Sequence, residues 1–474
     1  MNPSRMIPSA RVSKSGPPAW LEEGRSSKVS SMVSVRFLKA VWSIGSPLIV
    51  QQPHYPVGQK LVPTVLMARL KIENSSRFGG RFGPLSANIN FFLADRVYTG
   101  DGRCLPNTAV AVNAQTAQIE ALLPAAQAPN ARYQPGSLTP GFINAHGHLE
   151  LSHLHGHFPQ HTGLVPFLEA VTRSRGADQE TIEKHMQAAA QTLQANGIVA
   201  MGDIANTTAS IALKLSSTLK FHTFVEVFGM SEQGWPAGLE RGLPVLDAFR
   251  QAGLAASLSP HAPYSVHPAL MQHIGQTSAG LPISIHMQES PEETKFFASG
   301  EGAFPSFYRN LGIPVSTPAP GSSSLQTTLS ALPAGQRLLL VHNTCATNAD
   351  LELADHSGHD VFWCLCPGAN RYIENRLPEL ALFRRYPDRV LIGTDSLASN
   401  GTLSVLNELQ QLLQADPALT PELAIQWACG NAARFFGWSD LGTLEPGKRP
   451  GLLHIHPGSD HSPIGAGSSV QVII

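Results

Sequence analysis

The sequence predicts an α/β fold, a (β/α)8 TIM-like barrel with a small β-sandwich domain formed by the segments before and after the barrel. Three observations support this class. Eight apolar, strand-like runs follow one another along the chain, helical stretches separate most of them, and polar residues gather at the carboxyl ends of the runs. A doubly wound open sheet is the structural alternative, but no glycine-rich nucleotide-binding loop follows the first run.

The composition sets the size of the core and the kind of partner. The chain has 474 residues, of which 42% are hydrophobic and 14% are charged, and its formal net charge is −1. Such a chain can fill the core of one large domain and one smaller domain. A protein of near-zero net charge is poorly suited to coating nucleic acid or an anionic membrane. We therefore expect neither nucleic acid nor a membrane among its partners.

The first 90 residues differ from the rest of the chain in charge and in hydrophobic pattern. They contain 12 Lys and Arg residues against 3 Asp and Glu residues, and they show no sustained hydrophobic period. Residues 1–90 are therefore predicted to form a basic, disordered extension.

The first 90 residues lack the apolar core of a secretory signal, and the five cysteines of the chain lack the spacing of a disulfide framework. These features predict a cytoplasmic protein.

Short strands are predicted on both sides of the barrel. Residues 91–137 contain "FFLADRVYTGDGR" and "TAVAVNAQTAQIEALLP", and residues 441–474 end in "SSVQVII". The simplest architecture joins these two segments into one small β-sandwich domain. Residues 138–440 then form the catalytic barrel.

The eight predicted barrel strands lie in the region that follows Leu138. In chain order, they are "LTPGFINAH", "GIVAMGDIAN", "KFHTFVEVFG", "AASLSPHAPYSV", "LPISIHMQES", "RLLLVHNT", "DVFWCLCPGAN" and "VLIGTDSLASN". Helical patterns such as "QETIEKHMQAAAQTLQAN" and "LPVLDAFRQAG" lie between them. Strands that alternate with helices in this way are typical of parallel sheets.

A metal site is predicted where three strand ends meet. His146 and His148 stand two residues apart at the end of the first run, so their side chains point the same way. The fifth run contributes His286 and the eighth contributes Asp395. In a barrel all strand ends open onto one face, which brings these residues together. Imidazole and carboxylate ligands suit one divalent ion, Zn2+ first and Fe2+ second, which lowers the pKa of a bound water to about 7.

The metal ligands belong to a histidine-rich stretch, "NAHGHLELSHLHGHFPQH", that contains three His-x-His pairs. Only the first pair directly follows a predicted barrel strand. His153, His155, His157 and His161 lie beyond the strand end. We interpret these four residues as exposed or supporting groups and not as metal ligands.

Several motifs give the chain a recognisable resemblance. "PGFINAHGHLE", "HMQE", "VHN", "CPGAN" and "GTDSLASN" occur in this order, one at each expected strand. Over residues 91–474 the chain resembles the amidohydrolase superfamily. "SPHAPYSVHP" and the pattern H-x-x-E are similar to its deaminase branch, which contains cytosine-deaminase-like enzymes and nucleoside and aminodeoxyfutalosine deaminases.

The resemblance implies roles for the residues at the strand ends. His146, His148, His286 and Asp395 match the metal ligands, and Glu289 matches the carboxylate that moves protons. His342 matches the histidine that orients the hydroxide or the developing tetrahedral centre. Asp395, beside the ion, is also positioned to accept a proton as the nucleophile forms. A single metal is expected, because the end of the fourth run carries no lysine that could bridge two ions.

The substrate contacts are predicted from position alone. His261 resembles a substrate-facing histidine, and Asn370 and Arg371 follow the seventh strand. Glu150 and Arg173 are polar groups near the same face and are candidates for contacts with a sugar or a ring edge. Residues 300–336 are too many for a simple loop and are predicted to cover the site as a lid.

These residues predict a metal-dependent hydrolase that removes ammonia from a purine-like base or nucleoside. An amidohydrolase acting on a cyclic amide or a chloro-triazine is the first alternative, because the same residues serve that chemistry. A non-catalytic scaffold of the same fold is the second alternative, and the retained ligand set argues against it. The partner is expected to be a small heterocyclic substrate, and a homodimer is left open.

Overall fold

The computed structural model describes residues 88–314, 318, 320–459 and 462–474. The predicted basic extension therefore lies outside the described residues, except for residues 88–90. Ile89 and Asn90 belong to the first strand of the fold.

The described residues form seventeen strands. In chain order, they are β1 Ile89–Leu93, β2 Arg96–Tyr98, β3 Cys104–Pro106, β4 Thr108–Asn113, β5 Ile119–Pro124, β6 Arg132–Tyr133, β7 Ser137–Thr139, β8 Phe142–Gly147, β9 Ile198–Ala205, β10 Lys220–Val227, β11 Ala256–Pro260, β12 Pro282–Met287, β13 Arg337–His342, β14 Asp360–Leu365, β15 Val390–Ile392, β16 Leu453–His456 and β17 Ser469–Val472.

Fourteen α-helices lie in the described part of the chain, together with three short 3-10 segments. In chain order, the helices are α1 Leu164–Ser174, α2 Gln179–Ala195, α3 Ile211–Ser216, α4 Trp235–Gln251, α5 Pro268–Thr277, α6 Pro291–Ser299, α7 Phe304–Asn310, α8 Ser324–Ala331, α9 Asn348–Asp355, α10 Pro367–Glu374, α11 Leu380–Arg384, α12 Val405–Ala415, α13 Pro421–Ala428 and α14 Gly430–Phe436. None of these helices is long and apolar enough to cross a membrane.

Eight consecutive strands, β8 to β15, form two parallel four-stranded sheets. One sheet has the order β11-β10-β9-β8 and the other has the order β12-β13-β14-β15. One or more helices separate each of these strands from the next, as parallel strands require. The predicted α/β class is confirmed, and each of the eight predicted runs overlaps one of these strands.

The two parallel sheets are hydrogen-bonded to each other at both pairs of edges. At one pair, the His286 amide donates to the His261 carbonyl oxygen at 2.9 Å. At the other, the amides of Thr394 and Asp395 both donate to the His146 carbonyl oxygen at 3.1 Å. The carboxyl ends of β11 and β12 therefore lie side by side, as do those of β8 and β15.

Apolar side chains from both sheets fill the space between them. Ile143, Ala200, Phe224, Val341 and Leu391 belong to one buried cluster, although they come from five different strands. The thiols of Cys364 and Cys366 belong to the same cluster. Strands that are buried on both faces explain why the predicted runs are almost continuously apolar.

Helix caps fix two of the strand ends that carry polar residues. The α6 helix begins after Ser290, whose hydroxyl accepts a hydrogen bond from the Glu293 amide at 3.2 Å. The α9 helix begins after Thr347, which exchanges hydrogen bonds with Asp350 in a capping box. Such caps each stabilise a helix start by about 1 kcal/mol. These caps therefore fix the start of the helices that follow β12 and β13.

The remaining strands come from the two ends of the described chain. One sheet has the order β17-β16-β7-β2-β3, so it joins carboxyl-terminal and amino-terminal strands, and the other has the order β5-β4-β1-β6. Residues from both sheets, including Phe92, Val97, Val110 and Leu138, share one buried apolar cluster. The predicted β-sandwich domain and its boundaries stay predictions.

The predicted lid contains two helices, α7 and α8. The α7 helix packs inward through Phe304, Phe307 and Tyr308, and the Tyr308 hydroxyl donates to the Tyr264 carbonyl oxygen at 2.5 Å. Movement of this segment stays a prediction, and residues 315–317 and 319 lie outside the described residues.

Candidate active site

Three of the predicted metal ligands converge at the joined ends of β8 and β15. His148 Nε2 lies 3.2 Å from His146 Nε2 and 3.2 Å from Asp395 Oδ1. His146 Nε2 lies 3.5 Å from the same carboxylate oxygen. A tetrahedral zinc ion with bonds of about 2.0–2.1 Å separates its ligand atoms by roughly 3.3–3.4 Å. The spacing of these three atoms therefore fits the ligands of one metal ion.

The backbone around these ligands is held by buried polar groups. Asp395 has a φ of 56°, which is uncommon for a residue other than glycine. The Asn144 side chain makes two hydrogen bonds to Thr394, the residue before Asp395. It accepts from the Thr394 amide at 3.0 Å and donates to the Thr394 hydroxyl at 2.8 Å. On the other side of His148, the Leu149 amide donates to Asp203 at 3.0 Å.

His286 is oriented to present one particular nitrogen. Its Nδ1 lies 2.7 Å from the carbonyl oxygen of His261. A carbonyl oxygen can only accept a hydrogen bond, so Nδ1 carries the proton and Nε2 has the free lone pair. This arrangement, a histidine that donates to a carbonyl behind it, is typical of metal-ligating histidines.

A group of potential ligand atoms within 4.8 Å of one another contains His146, His286, His342 and Asp395. It therefore includes three of the four predicted ligands and adds His342. His148 is not in this group, but its Nε2 lies within 3.2 Å of two members. Burial lowers the pKa of His146 to about 3, which keeps the imidazole neutral and able to bind a metal.

Glu289 lies beside His342 at the same site. Its Oε1 is 3.6 Å from His342 Nε2, and both side chains are buried. The carboxylate of Glu293 accepts hydrogen bonds from the Gln288 amide at 2.9 Å and the Glu289 amide at 3.0 Å, which fixes the chain after β12. Burial raises the pKa of Glu289 to about 8, against the opposing effect of His286. A carboxyl group with this pKa can hold or release a proton near neutral pH.

The raised pKa predicts a stability effect in the metal-free protein. The pKa of Glu289 rises from 4.5 to about 8 on folding, so between these values the unfolded state binds fewer protons than the folded state. The free energy of unfolding therefore falls as the pH rises through this window. Because glutamine does not titrate, Glu289→Gln is expected to raise the Tm more at pH 8 than at pH 5. Scanning calorimetry in a chelator checks this, and an equal change at both pH values would contradict it.

A cavity of about 470 Å3 opens over the candidate ligands, which is within the usual range for small-molecule sites. His148, His286, Glu289, His342 and Asp395 all line it. Most of its wall is apolar and includes Phe167, Val171, Phe228, Met230, Phe307 and Leu311. The α7 side chains in this wall belong to the predicted lid.

The predicted substrate contacts are only partly at this cavity. His261 lines it, and its Nδ1 is 2.7 Å from the Ser265 hydroxyl. Glu150, Arg173, Asn370 and Arg371 are not among the described residues that line this cavity. Contact of these four residues with a substrate stays a prediction.

Two of these four residues make other contacts. The carboxylate of Glu150 accepts hydrogen bonds from the amides of Asn206 and Thr207 and from the Thr207 hydroxyl, at 2.8–3.1 Å. Its role is therefore to hold the chain after β9. The Arg173 side chain is 73% exposed and lies 3.7 Å from Glu169 on the same helix.

Glu226, near the end of β10, is a cavity residue that the sequence interpretation missed. Its Oε2 accepts a hydrogen bond from the Asn206 side chain at 3.1 Å, whereas its buried Oε1 has no hydrogen-bond partner and lies 3.8 Å from His286 Nδ1. Burial alone would raise the pKa of Glu226, but the imidazoles of His261, His286 and His148 outweigh it and lower the pKa to about 2. The sequence itself could have indicated Glu226 as a site residue, because it is the acidic residue of the third predicted strand run.

Arginines also line the cavity. Arg175 and Arg241 are both exposed, and Arg175 donates to the Asn206 side chain at 2.8 Å.

A second group of potential ligand atoms in the described part of the chain contains Glu226, His261 and His286. The four later histidines of the histidine-rich stretch belong to neither group, and the interpretation that they are not ligands stays a prediction.

Comparison with known proteins identifies relatives along most of the chain. The chain is 26% identical over 337 residues to an adenosine deaminase of Helicobacter pylori, covering 68% of this chain and 79% of that one. It is 29% identical over 319 residues to an aminodeoxyfutalosine deaminase of Deinococcus radiodurans, covering 63% and 73%. The predicted resemblance to the deaminase branch is thereby confirmed.

A solved structure has a similar fold. The aminofutalosine deaminase of Helicobacter pylori in complex with methylthio-coformycin superposes with a TM-score of 0.67 at 24% identity, covering 79% of this chain and 94% of that one. A sequence profile of the amidohydrolase family matches residues 137–470, well over half of the chain. The chain therefore belongs to the amidohydrolase family and is a metal-dependent hydrolase that acts on carbon–nitrogen bonds.

Proposed function

We propose that this protein is a hydrolytic deaminase that removes ammonia from an amino-substituted heterocycle, a purine-like base or nucleoside. The observation that carries the proposal is the position of Glu289. This residue is buried, and its Oε1 lies 3.6 Å from His342 Nε2. It lines an apolar cavity together with His148, His286 and Asp395. Attack on an amidine-like ring carbon requires a proton at the adjacent ring nitrogen and at the leaving amine. A buried carboxyl group that can hold a proton meets this requirement.

His146, His148, His286 and Asp395 would hold one divalent metal ion, Zn2+ in the first place and Fe2+ in the second. Three imidazole nitrogens and one carboxylate oxygen are a donor set that suits either ion. When bound, the ion makes water a sufficiently strong nucleophile at neutral pH. A hydrogen bond from the Ser399 hydroxyl to Asp395 Oδ2 leaves Oδ1 facing the imidazoles.

The proton transfers are assigned to Glu289. Its carboxylate takes one proton from the attacking water and passes it to the ring nitrogen, then takes the second proton from the new hydroxyl on the ring carbon and passes it to the amine, which leaves as ammonia. A pKa of about 8 places the group near the pH at which both steps must occur. His342, whose Nε2 lies beside Glu289 Oε1, contacts the oxygen that attacks the ring.

His261 and Glu226 are proposed to contact the substrate. Glu226 Oε1 is a buried acceptor without a hydrogen-bond partner, so a ring N–H or a sugar hydroxyl would satisfy it. Glu226→Gln is expected to raise KM by about 10-fold or more, since a hydrogen bond to a charged group contributes about 1.5–3 kcal/mol. Steady-state kinetics check this, with the exposed Glu232→Gln as a control. An unchanged KM in the Glu226 variant would remove Glu226 from the substrate site.

We also propose that β8 to β15 close into a single (β/α)8 barrel. The hydrogen bonds that link β11 to β12 and β15 to β8 support this closure, as does the apolar cluster drawn from both sheets. A closed barrel explains why residues far apart in sequence meet at one mouth.

An ammonia-release screen tests the proposed function. The metal-loaded protein would be incubated with adenosine, aminodeoxyfutalosine, guanine, cytosine, a cyclic amide and amino- and chloro-triazines. Release of ammonia from a purine-like base or nucleoside is the expected result. Chloride release from a triazine, or ring opening of the cyclic amide without ammonia, would favour the alternative hydrolase.

A further inference from the structure

We propose that Asn370 is a positioning residue that fixes the tautomer of His342, so that the Nε2 lone pair of His342 faces the candidate metal ligands. The inference rests on the proposed function for its catalytic consequence. Asn370 was predicted from its sequence position to contact the substrate, and in the structure its side chain is hydrogen-bonded to His342.

Two hydrogen bonds join Asn370 to His342. Asn370 Nδ2 lies 3.3 Å from the His342 carbonyl oxygen, and Asn370 Oδ1 lies 2.8 Å from His342 Nδ1. Asn370 is 2% exposed and His342 is 1% exposed, so water competes with neither bond. One amide side chain therefore holds both the backbone and the ring of His342.

The chemistry of these partners determines where the protons are. A backbone carbonyl oxygen only accepts, so the amide atom that faces it must be the NH2 group of Asn370. The other end of the amide is then the oxygen, which also only accepts. His342 Nδ1 must therefore carry a proton. A neutral imidazole carries a single proton, so in the neutral ring Nε2 has the lone pair.

The free nitrogen points into the candidate active site. His342 Nε2 is 3.6 Å from Glu289 Oε1, and His342 is one of the four residues whose ligand atoms lie within 4.8 Å of one another. In this tautomer Nε2 accepts a hydrogen bond from the attacking water or from the protonated Glu289, or it binds the metal. It cannot donate a hydrogen bond, which the other neutral tautomer would do.

The backbone of His342 makes this support important. His342 has a φ of 74° and Asn343 has a φ of 52°, so two consecutive residues other than glycine adopt left-handed conformations. Each such conformation costs about 1 kcal/mol or more and persists only where neighbouring contacts hold it. The Asn370 side chain supplies one of these contacts through the His342 carbonyl oxygen.

The helix that carries Asn370 is itself held in place by hydrogen bonds at its start. Asn370 lies on α10, the helix that follows β14, and the Gly368 amide of that helix donates to the buried carboxylate of Glu408 at 2.6 Å. Glu408 also accepts a hydrogen bond from Asn400 at 2.9 Å. A rigid helix start therefore presents the amide to the histidine.

The test compares Asn370→Ala and Asn370→Asp with a matched control. Asn431 is also a buried asparagine whose side chain donates to two backbone carbonyls, those of Pro387 at 2.9 Å and Val390 at 2.8 Å. Asn431→Ala removes the same kind of contact without touching His342. Aspartate at position 370 can still accept from Nδ1, whereas alanine cannot.

The direct measurement is the nitrogen spectrum of histidine-labelled protein, with and without zinc, in which His342 is assigned by the signal lost in His342→Gln. We expect the Nδ1–H tautomer in the wild type, in Asn370→Asp and in Asn431→Ala, and its loss in Asn370→Ala. With an active substrate, Asn370→Ala is expected to lower kcat by about 10- to 100-fold with little change in KM, and Asn370→Asp to recover part of kcat.

An Nε2–H tautomer in the wild type would overturn the inference, as would an Asn370→Ala protein that keeps both its tautomer and its kcat. The wild-type spectrum decides the tautomer even if Asn370→Ala does not fold. It also decides the tautomer if no heterocycle is deaminated, so failure of the proposed function and failure of this inference give different results.

Discussion

Glu289→Gln is expected to lower kcat for ammonia release by about 10²- to 10⁴-fold, the usual contribution of a positioned general acid–base group. Glutamine has the same shape but cannot carry a proton from the attacking water to the ring nitrogen. Since Glu289 is not among the proposed ligands, the variant should bind the metal as the wild type does. Initial rates at saturating substrate and metal content by mass spectrometry provide the two measurements.

The matched control is Glu301→Gln, which changes an exposed glutamate near Glu289 in the chain. This control should keep the wild-type kcat. A Glu289→Gln enzyme with wild-type kcat would remove Glu289 from the proton-transfer role. Loss of the metal in that variant would instead show that Glu289 acts by binding the metal.

Asp395→Asn is expected to lower both metal affinity and activity, each by more than about 100-fold. Asp395 Oδ1 lies within 3.5 Å of His146 Nε2 and His148 Nε2, and it is the only charged oxygen in the proposed ligand set. Its amide replacement is neutral, so the attraction for a divalent cation falls. Loss of a group behind the ligands costs 10- to 100-fold in related sites, and loss of a ligand should cost more.

Metal titration with a competing chelator and the rate of ammonia release measure these two effects. Asp440→Asn, which removes an exposed carboxylate paired with Lys220, should change neither. If Asp395→Asn bound zinc with wild-type affinity, Asp395 would not be a metal ligand. The proposed ligand set would then have to be redrawn, with His342 as the next candidate.

The eight parallel strands and the meeting of His146, His148 and Asp395 were predictable because local signals determine them. A strand that is buried on both faces must be apolar along its length, so the runs are visible without any tertiary information. His146 and His148 are two residues apart on one strand, and the pleat alone places them on the same side. Their contact with Asp395 could be predicted from the expectation that the carboxyl ends of parallel strands meet.

The substrate contacts were less predictable because helix orientation decides them. Arg173 and Arg175 are two residues apart at the end of α1, so they lie on nearly opposite sides of a helix with 3.6 residues per turn. The sequence does not show which side faces the cavity. The structure places Arg175 there and leaves Arg173 beside Glu169.

Asn370 and Glu226 illustrate two further kinds of difficulty. The motif "CPGAN" places Asn370 near the mouth, but only the hydrogen bonds to His342 show that it acts behind the histidine. Glu226, in contrast, was within reach of the sequence. An acid near the end of an apolar strand run costs free energy when it is buried, and such a residue is best explained by a role at the site.

The most direct test of the central claim is the metal dependence of ammonia release. The purified protein would be stripped with a chelator, loaded with increasing zinc, and assayed on the purine nucleoside that the screen identifies. The proposal predicts no activity without metal and a rise that ends at one ion per chain. Full activity in the stripped protein, or no ammonia from any tested heterocycle after metal loading, would contradict it.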